Sequence, residues 1–172
     1  DADWAERLAT GLKMVSAFRS HFSSVQQAGV LEVEMPFIVD LHHPETGVVM
    51  DEKLVGVIDA VLLEEQRPVV TELKTAAKRY SADQLADIQV SAYAYAAEQL
   101  GFTDAALKYV IVTKAKAPVV QEEFLRRDDR DLADMLHTVA GVLKSIDAGV
   151  SFPIRSWQCR SCEFQRTCSS KR

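Results

Sequence analysis

"PVVTELKT", residues 68–75, reads as a buried strand that carries an acid and a base. Val69, Val70 and Leu73 suit a strand. A period of two puts Glu72 and Lys74 on one face, about 6–7 Å apart along the chain. The run before it has a matching oddity. In "LVGVIDAVLL", residues 54–63, Asp59 is the only charge, and Val55, Val57, Asp59 and Val61 share one side by alternation. A buried carboxylate is costly without a partner, so Asp59 needs a donor, a counter-charge or a metal. The short turn "EEQRP" makes the two runs antiparallel neighbours and brings Asp59 toward Glu72. Two hard carboxylates in a pocket of low dielectric suit Mg²⁺ or Mn²⁺. Lys74 beside them would hold a water or counter the charge of a phosphate. Gly56 would allow close approach of backbone or substrate. The competing reading is a structural Glu–Lys pair and an Asp satisfied by a backbone N–H.

Working outward, residues 3–27 read as a helix with a stripe at Leu8, Leu12, Val15 and Phe18, and Gly29 as its stop. "VLEVEMPFIVDL" (30–41) alternates as a strand, "HHPETG" is a turn, and "VVM" with residues 53–63 continues a meander. "SADQLADIQVSAYAYAAEQLG" (81–101) predicts one helix. Ser81 and Gln84 form a capping-box pattern, Leu85, Ile88, Ala92, Tyr93, Ala96 and Leu100 a core stripe, and Gly101 a stop. Gln89 and Tyr93, four apart, share its inner face. Strands are expected at 107–114 and 118–125, and an amphipathic helix over 128–149 ending at Gly149. This order predicts an α/β fold, a mixed sheet flanked by helices, with residues 1–150 as the core and 151–172 as a cysteine-rich tail.

That tail holds all three cysteines as C-x2-C-x5-C at Cys159, Cys162 and Cys168. An odd, tightly spaced set argues against a disulfide framework and for Zn²⁺ or an iron–sulfur cluster. No fourth cysteine is available, and His21, His42, His43 and His137 lack ligand spacing. Free thiols are the alternative.

The chain of 172 residues is 48% hydrophobic and 26% charged, which is enough apolar material for one globular core. No apolar run reaches membrane-spanning length and no signal peptide opens the chain, so a cytoplasmic setting is expected. The first residue is Asp1, and the natural chain is expected to begin earlier. Net charge is −5, which does not favour nucleic acid. Basic residues cluster locally, Lys78 with Arg79, Lys114 with Lys116, and Arg155, Arg160, Arg166, Lys171 and Arg172 against Glu163 alone; such a face could track phosphates, while any one cluster taken alone reads better as scattered solvated charges.

The series G-V-I-D, E-L-K, Q-x-x-x-Y and C-x2-C-x5-C resembles the RecB-like branch of the PD-(D/E)XK nucleases. The likeness is to exonucleases with a C-terminal iron–sulfur cysteine motif, the CRISPR-associated ones among them, and runs from about Val30 to Cys168. The resemblance implies a restriction-endonuclease-like fold. It makes Asp59 and Glu72 ligands of Mg²⁺ or Mn²⁺, with the Leu73 carbonyl as a third, and Lys74 the catalytic lysine. Gln89 and Tyr93 would take the Q-x-x-x-Y positions. Cys159, Cys162 and Cys168 would be three ligands of a 4Fe–4S cluster, with Zn²⁺ as the alternative. Two parts are missing: the upstream cysteine, and the upstream helix with a metal-binding His or Glu. His21 is too close to Asp59 to take that place.

The function so implied is a metal-dependent deoxyribonuclease, an exonuclease, acting in repair, recombination or CRISPR adaptation. DNA with free ends or single strands would be its substrate, and proteins of a nuclease or adaptation complex its partners. The alternatives are a catalytically inactive nucleic-acid-binding module of the same fold, or a zinc-ribbon interaction domain.

Overall fold

The computed structural model describes residues 2–24, 29–85, 87–150 and 152–170. The expected helix end at 25–27 and the basic Lys171 and Arg172 lie outside these. The chain forms two compact units, Asp1–Leu136 and His137–Arg172.

The first unit is built on a five-stranded sheet in the order β1-β2-β3-β4-β5. Helix α1 (Ala2–Ser24) precedes β1 (Gly29–His42), β2 (Val49–Glu64) and β3 (Arg67–Ala76). Gly29 is thus the first strand residue rather than a helix stop, and "VVM" belongs to one long β2. β1 and β2 form a long antiparallel hairpin. β2 and β3 join through a two-residue turn in which Glu65 and Gln66 both have positive φ, 48° and 68°. That backbone matches the twist of the strands it connects. After β3 the chain crosses through α2 (Ala82–Leu85) and α3 (Ile88–Gln99) to β4 (Ala106–Thr113), parallel to β3. β5 (Val120–Leu125) returns antiparallel. The mixed α/β sheet flanked by helices expected from the sequence is therefore present.

The helix expected over 81–101 is broken. Asp87 is extended (φ −81°, ψ 138°) and its carboxylate accepts the Gln89 N–H, so it caps a new helix. An Asp that can bond the backbone two residues on competes with helix continuation. α3 ends as expected, with Gly101 at φ +87° and the Phe102 N–H on the Ala97 carbonyl. Its buried residues are Val90, Ser91, Tyr93, Tyr95, Ala96 and Ala97, while Ile88 and Leu100 of the expected stripe are exposed.

The two faces of the sheet are covered by different helices. On β4, Lys108 lies over the Phe22 ring of α1 at 5.9 Å. Its neighbour Tyr109 points the other way, to Tyr80 and Lys74 on the α3 face. α1 packs loosely. Leu8, Leu12 and Val15, expected in its core stripe, are exposed. A cavity of about 360 Å³ lies between α1 and the sheet, with Met14, Phe18, Leu73, Val110 and Val112 among its lining. α3 packs tightly. The Tyr93 and Phe37 rings meet edge-on, and the Tyr95 hydroxyl donates to the Asp40 carbonyl at 2.8 Å. Gly56 has the room expected of it, but the Phe37 ring uses it: a Cβ there would lie 2.6 Å from that ring.

α4 (Asp129–Asp147) begins in the first unit, where Met135 is buried, and runs into the second. The second unit continues past Gly149 (φ +64°) to a 3₁₀ turn, Trp157–Ser161, and α5 (Gln165–Ser170). Among the described residues no helix is long and apolar enough to cross a membrane.

Candidate active site

The β2–β3 ladder stops at Ala60 and Thr71. One residue further the strands separate, and the Asp59 carboxylate fills the gap. Its Oδ2 accepts the Leu73 N–H at 2.7 Å. This is the backbone partner the sequence left open as an alternative. It satisfies one oxygen and holds the carboxylate beside β3.

Glu72 is 5% exposed. Its Oε1 accepts from Lys74 Nζ, as the shared face of β3 requires. Its Oε2 is buried with no hydrogen-bond partner. Burial raises the Glu72 carboxyl above its ordinary value, the bond from Lys74 opposes this, and the charge of Asp59 raises it again. The two carboxylates thus act on one another.

Lys74 also donates to Gln89 Oε1 at 2.8 Å. A lysine can only donate, so this contact fixes the amide's orientation. Gln89 Nε2 then donates to the Tyr93 hydroxyl at 3.0 Å, and that hydroxyl donates to the Val57 carbonyl at 2.9 Å. Burial, with the charge of Glu72, pushes the Tyr93 phenol up to about 12, so it stays protonated at neutral pH. The chain of donors runs one way, from Lys74 through α3 to β2. Both ends of the Gln89 amide are committed to protein groups, so Gln89 holds the lysine. The structure therefore brings together Asp59, Glu72, Lys74, Gln89 and Tyr93, with the Leu73 backbone between the two acids.

Three contributors were not read from the sequence. Tyr109 lies in register beside Glu72 on β4, with Lys74 Nζ 5.9 Å from its ring centroid. Only the parallel register reveals it. Asp87 caps α3 one turn from the site. Arg127, after β5, ties the start of α3 in place. Its Nε donates to the Ser91 hydroxyl at 3.0 Å, and its guanidinium donates to the carbonyls of Leu85 and Asp87. His21 was left unassigned, and its ring nitrogen meets Glu122 on the α1 side.

Asp59 and Glu72 fit a hard divalent cation. They are two oxygen donors at a strand divergence, and the buried Oε2 of Glu72 makes no hydrogen bond, the nearby Tyr93 hydroxyl donating to the Val57 carbonyl instead. Among the described residues no three His, Cys, Asp or Glu are close enough to hold a metal, so the described side chains there are the two carboxylates. Among the described residues the expected grouping of Cys159, Cys162 and Cys168 is not seen. They are free thiols, set in a 3₁₀ turn, at its end and in α5. Cys159 Sγ instead accepts the Ser156 N–H at 3.3 Å.

The fold has relatives among solved structures. One, described as SSO0001, superposes with a TM-score of 0.55 at 17% identity, covering 96% of this chain and 70% of that one. A second, described as a "Putative exonuclease" from Eubacterium rectale, gives 0.50 at 18% identity over 83% of this chain. This chain spans about half of that protein, 53%. No curated protein matches. The family model of the PD-(D/E)XK nuclease superfamily matches residues 2–169. With almost the whole chain matched, and its D…E-x-K residues gathered where β2 and β3 part, the protein belongs to the PD-(D/E)XK nuclease superfamily.

Proposed function

We propose that the chain is a metal-dependent deoxyribonuclease that hydrolyses phosphodiester bonds from DNA ends, with Asp59, Glu72 and Lys74 as its reactive groups. The observation that carries this reading is the buried, partnerless Oε2 of Glu72 beside Asp59, on the strand that presents Lys74. A bound Mg²⁺ or Mn²⁺ would polarise the phosphate and lower the pKa of a water. The chain's own groups do the rest. Asp59 and Glu72 bind through carboxylate oxygens, with the Leu73 carbonyl at hand between them. Lys74 has three N–H bonds and spends two on Glu72 and Gln89, which leaves one for a phosphate oxygen. The Gln89–Tyr93 chain keeps the ammonium at that place, so little reorganisation accompanies the reaction. Water adds to phosphorus, the ester P–O bond breaks, and the leaving oxygen takes up a proton.

The test is degradation of end-labelled DNA in Mn²⁺ by the wild type, Asp59→Ala and Lys74→Ala, with circular dichroism as the folding control. Cleavage by the wild type and loss in both folded variants is expected. Equal cleavage by all three removes the assignment. Binding of DNA without turnover in any of them would make the chain an inactive nucleic-acid-binding module.

A further inference from the structure

Among the described residues, two buried side-chain polar atoms have no hydrogen-bond partner: Glu72 Oε2 and the Tyr109 hydroxyl. They belong to residues in register on the parallel strands β3 and β4. A buried polar group left without a partner costs on the order of 1–3 kcal/mol, so two at neighbouring positions call for a common cause. Tyr109 is 1% exposed. Its ring is fixed from two sides, by the Tyr80 ring edge at a centroid distance of 6.2 Å and by Lys74 Nζ at 5.9 Å. Tyr80 is itself clamped: its N–H donates to Gln121 Oε1 at 2.9 Å, and Gln121 Nε2 donates to its carbonyl at 3.2 Å. The phenol has little freedom to turn elsewhere. Burial, then the charges of Asp87 and Glu72, push it well above its ordinary range, so it is a donor at any working pH.

We infer that Tyr109 is a further positioning residue of the cation site, its hydroxyl donating to a water held at Glu72. This rests on the cation reading of Asp59 and Glu72. The hydroxyl and the carboxylate oxygen would then find their missing partners in one bound molecule. Phenylalanine would keep the ring contacts and lose only the donor.

The experiment is calorimetric titration of Mn²⁺ into wild type, Tyr109→Phe and Asp59→Ala, with thermal unfolding of each in chelator. Tyr109→Phe should melt at or above the wild-type temperature without metal, because a dissatisfied group has been removed. Its Kd for Mn²⁺ should rise by about tenfold, the loss of one hydrogen bond in a buried site. An unchanged Kd overturns the inference. So does a weaker Kd accompanied by a lower melting temperature in chelator, which would place the hydroxyl in the fold. If the wild type itself takes up no Mn²⁺, and Asp59→Ala behaves identically, both the cation reading and this one fall.

Discussion

Two Glu–Lys pairs lie on opposite faces of the same sheet, and they are finished differently. On the α1 face, Lys108 is 1% exposed and bonds both Glu64 and Glu122, while the other oxygen of Glu122 meets His21. Burial would raise the Glu122 carboxyl, but bonds from His21 and Lys108 outweigh it and hold the group below its ordinary value. On the α3 face, Lys74 is 27% exposed, Glu72 has one oxygen without a partner, and its carboxyl is raised. The same residue types thus make a closed ionic network on one side and an open one on the other. A network built for stability satisfies its own members. The network on the α3 face leaves one buried member unsatisfied.

The lysines give the largest test of this contrast. Lys108→Met removes the counter-charge of two carboxylates in the interior, and breaking a buried pair costs about 3–5 kcal/mol. Urea unfolding should show a loss of that size. Lys74→Met should leave the midpoint within about 1–2 kcal/mol of the wild type, while cleavage of end-labelled DNA falls by about 10³-fold or more. Loss of stability in both would erase the distinction between the faces.

The glutamates should respond to pH with opposite signs. Glu72 titrates above the ordinary 4.5, so its contribution to metal-free stability is full below that value and fades as pH rises through the raised one. Glu122 titrates below 4.5, so its contribution is full above that value and is lost as pH falls through the lowered one. In chelator at neutral pH, Glu72→Gln should melt higher than the wild type and Glu122→Gln lower. Both differences should shrink toward about pH 4. Thermal scans across that interval decide it, and equal signs would contradict the comparison.

Two smaller changes sharpen it. Gly56→Ala drives a Cβ into the Phe37 ring that supports Tyr93, at a cost of about 1–3 kcal/mol. It should lower melting and cleavage together. Arg127→Lys keeps the charge but cannot span the Leu85 and Asp87 carbonyls and the Ser91 hydroxyl at once. Cleavage should fall several-fold, about 1 kcal/mol of barrier, with little change in DNA binding by fluorescence anisotropy.

Much of the open face was legible because alternation and short turns act locally. The spacing of Glu72 and Lys74, the turn that brings Asp59 back, and the four-residue step from Gln89 to Tyr93 each need only a few residues to read. The closed face was not legible. Its members His21, Glu64, Lys108 and Glu122 come from four elements, and only the strand order unites them. Tyr109 was missed for the same reason. The cysteines are a different case. Their spacing is a local signal, and convergence in three dimensions is a separate property that spacing does not supply; among the described residues the three are not grouped.

The outer strand of the long hairpin has a consequence of another kind. β1 is at the edge of the sheet, 14 residues long, and it exposes Val30, Leu31, Val33 and Ile38. An edge of that length and character is a template on which a second chain could add and begin an aggregate. Two residues spoil the template near its middle. Pro36 has no amide hydrogen, so the row of donors is interrupted there. Glu34, with φ 47°, turns the backbone out of the extended form two residues earlier. The interruption leaves the hairpin's own pairing intact across Met35, Pro36 and Phe37. A strand arriving from solvent would meet a row with a gap and a kink, which disfavours a sixth strand at this edge.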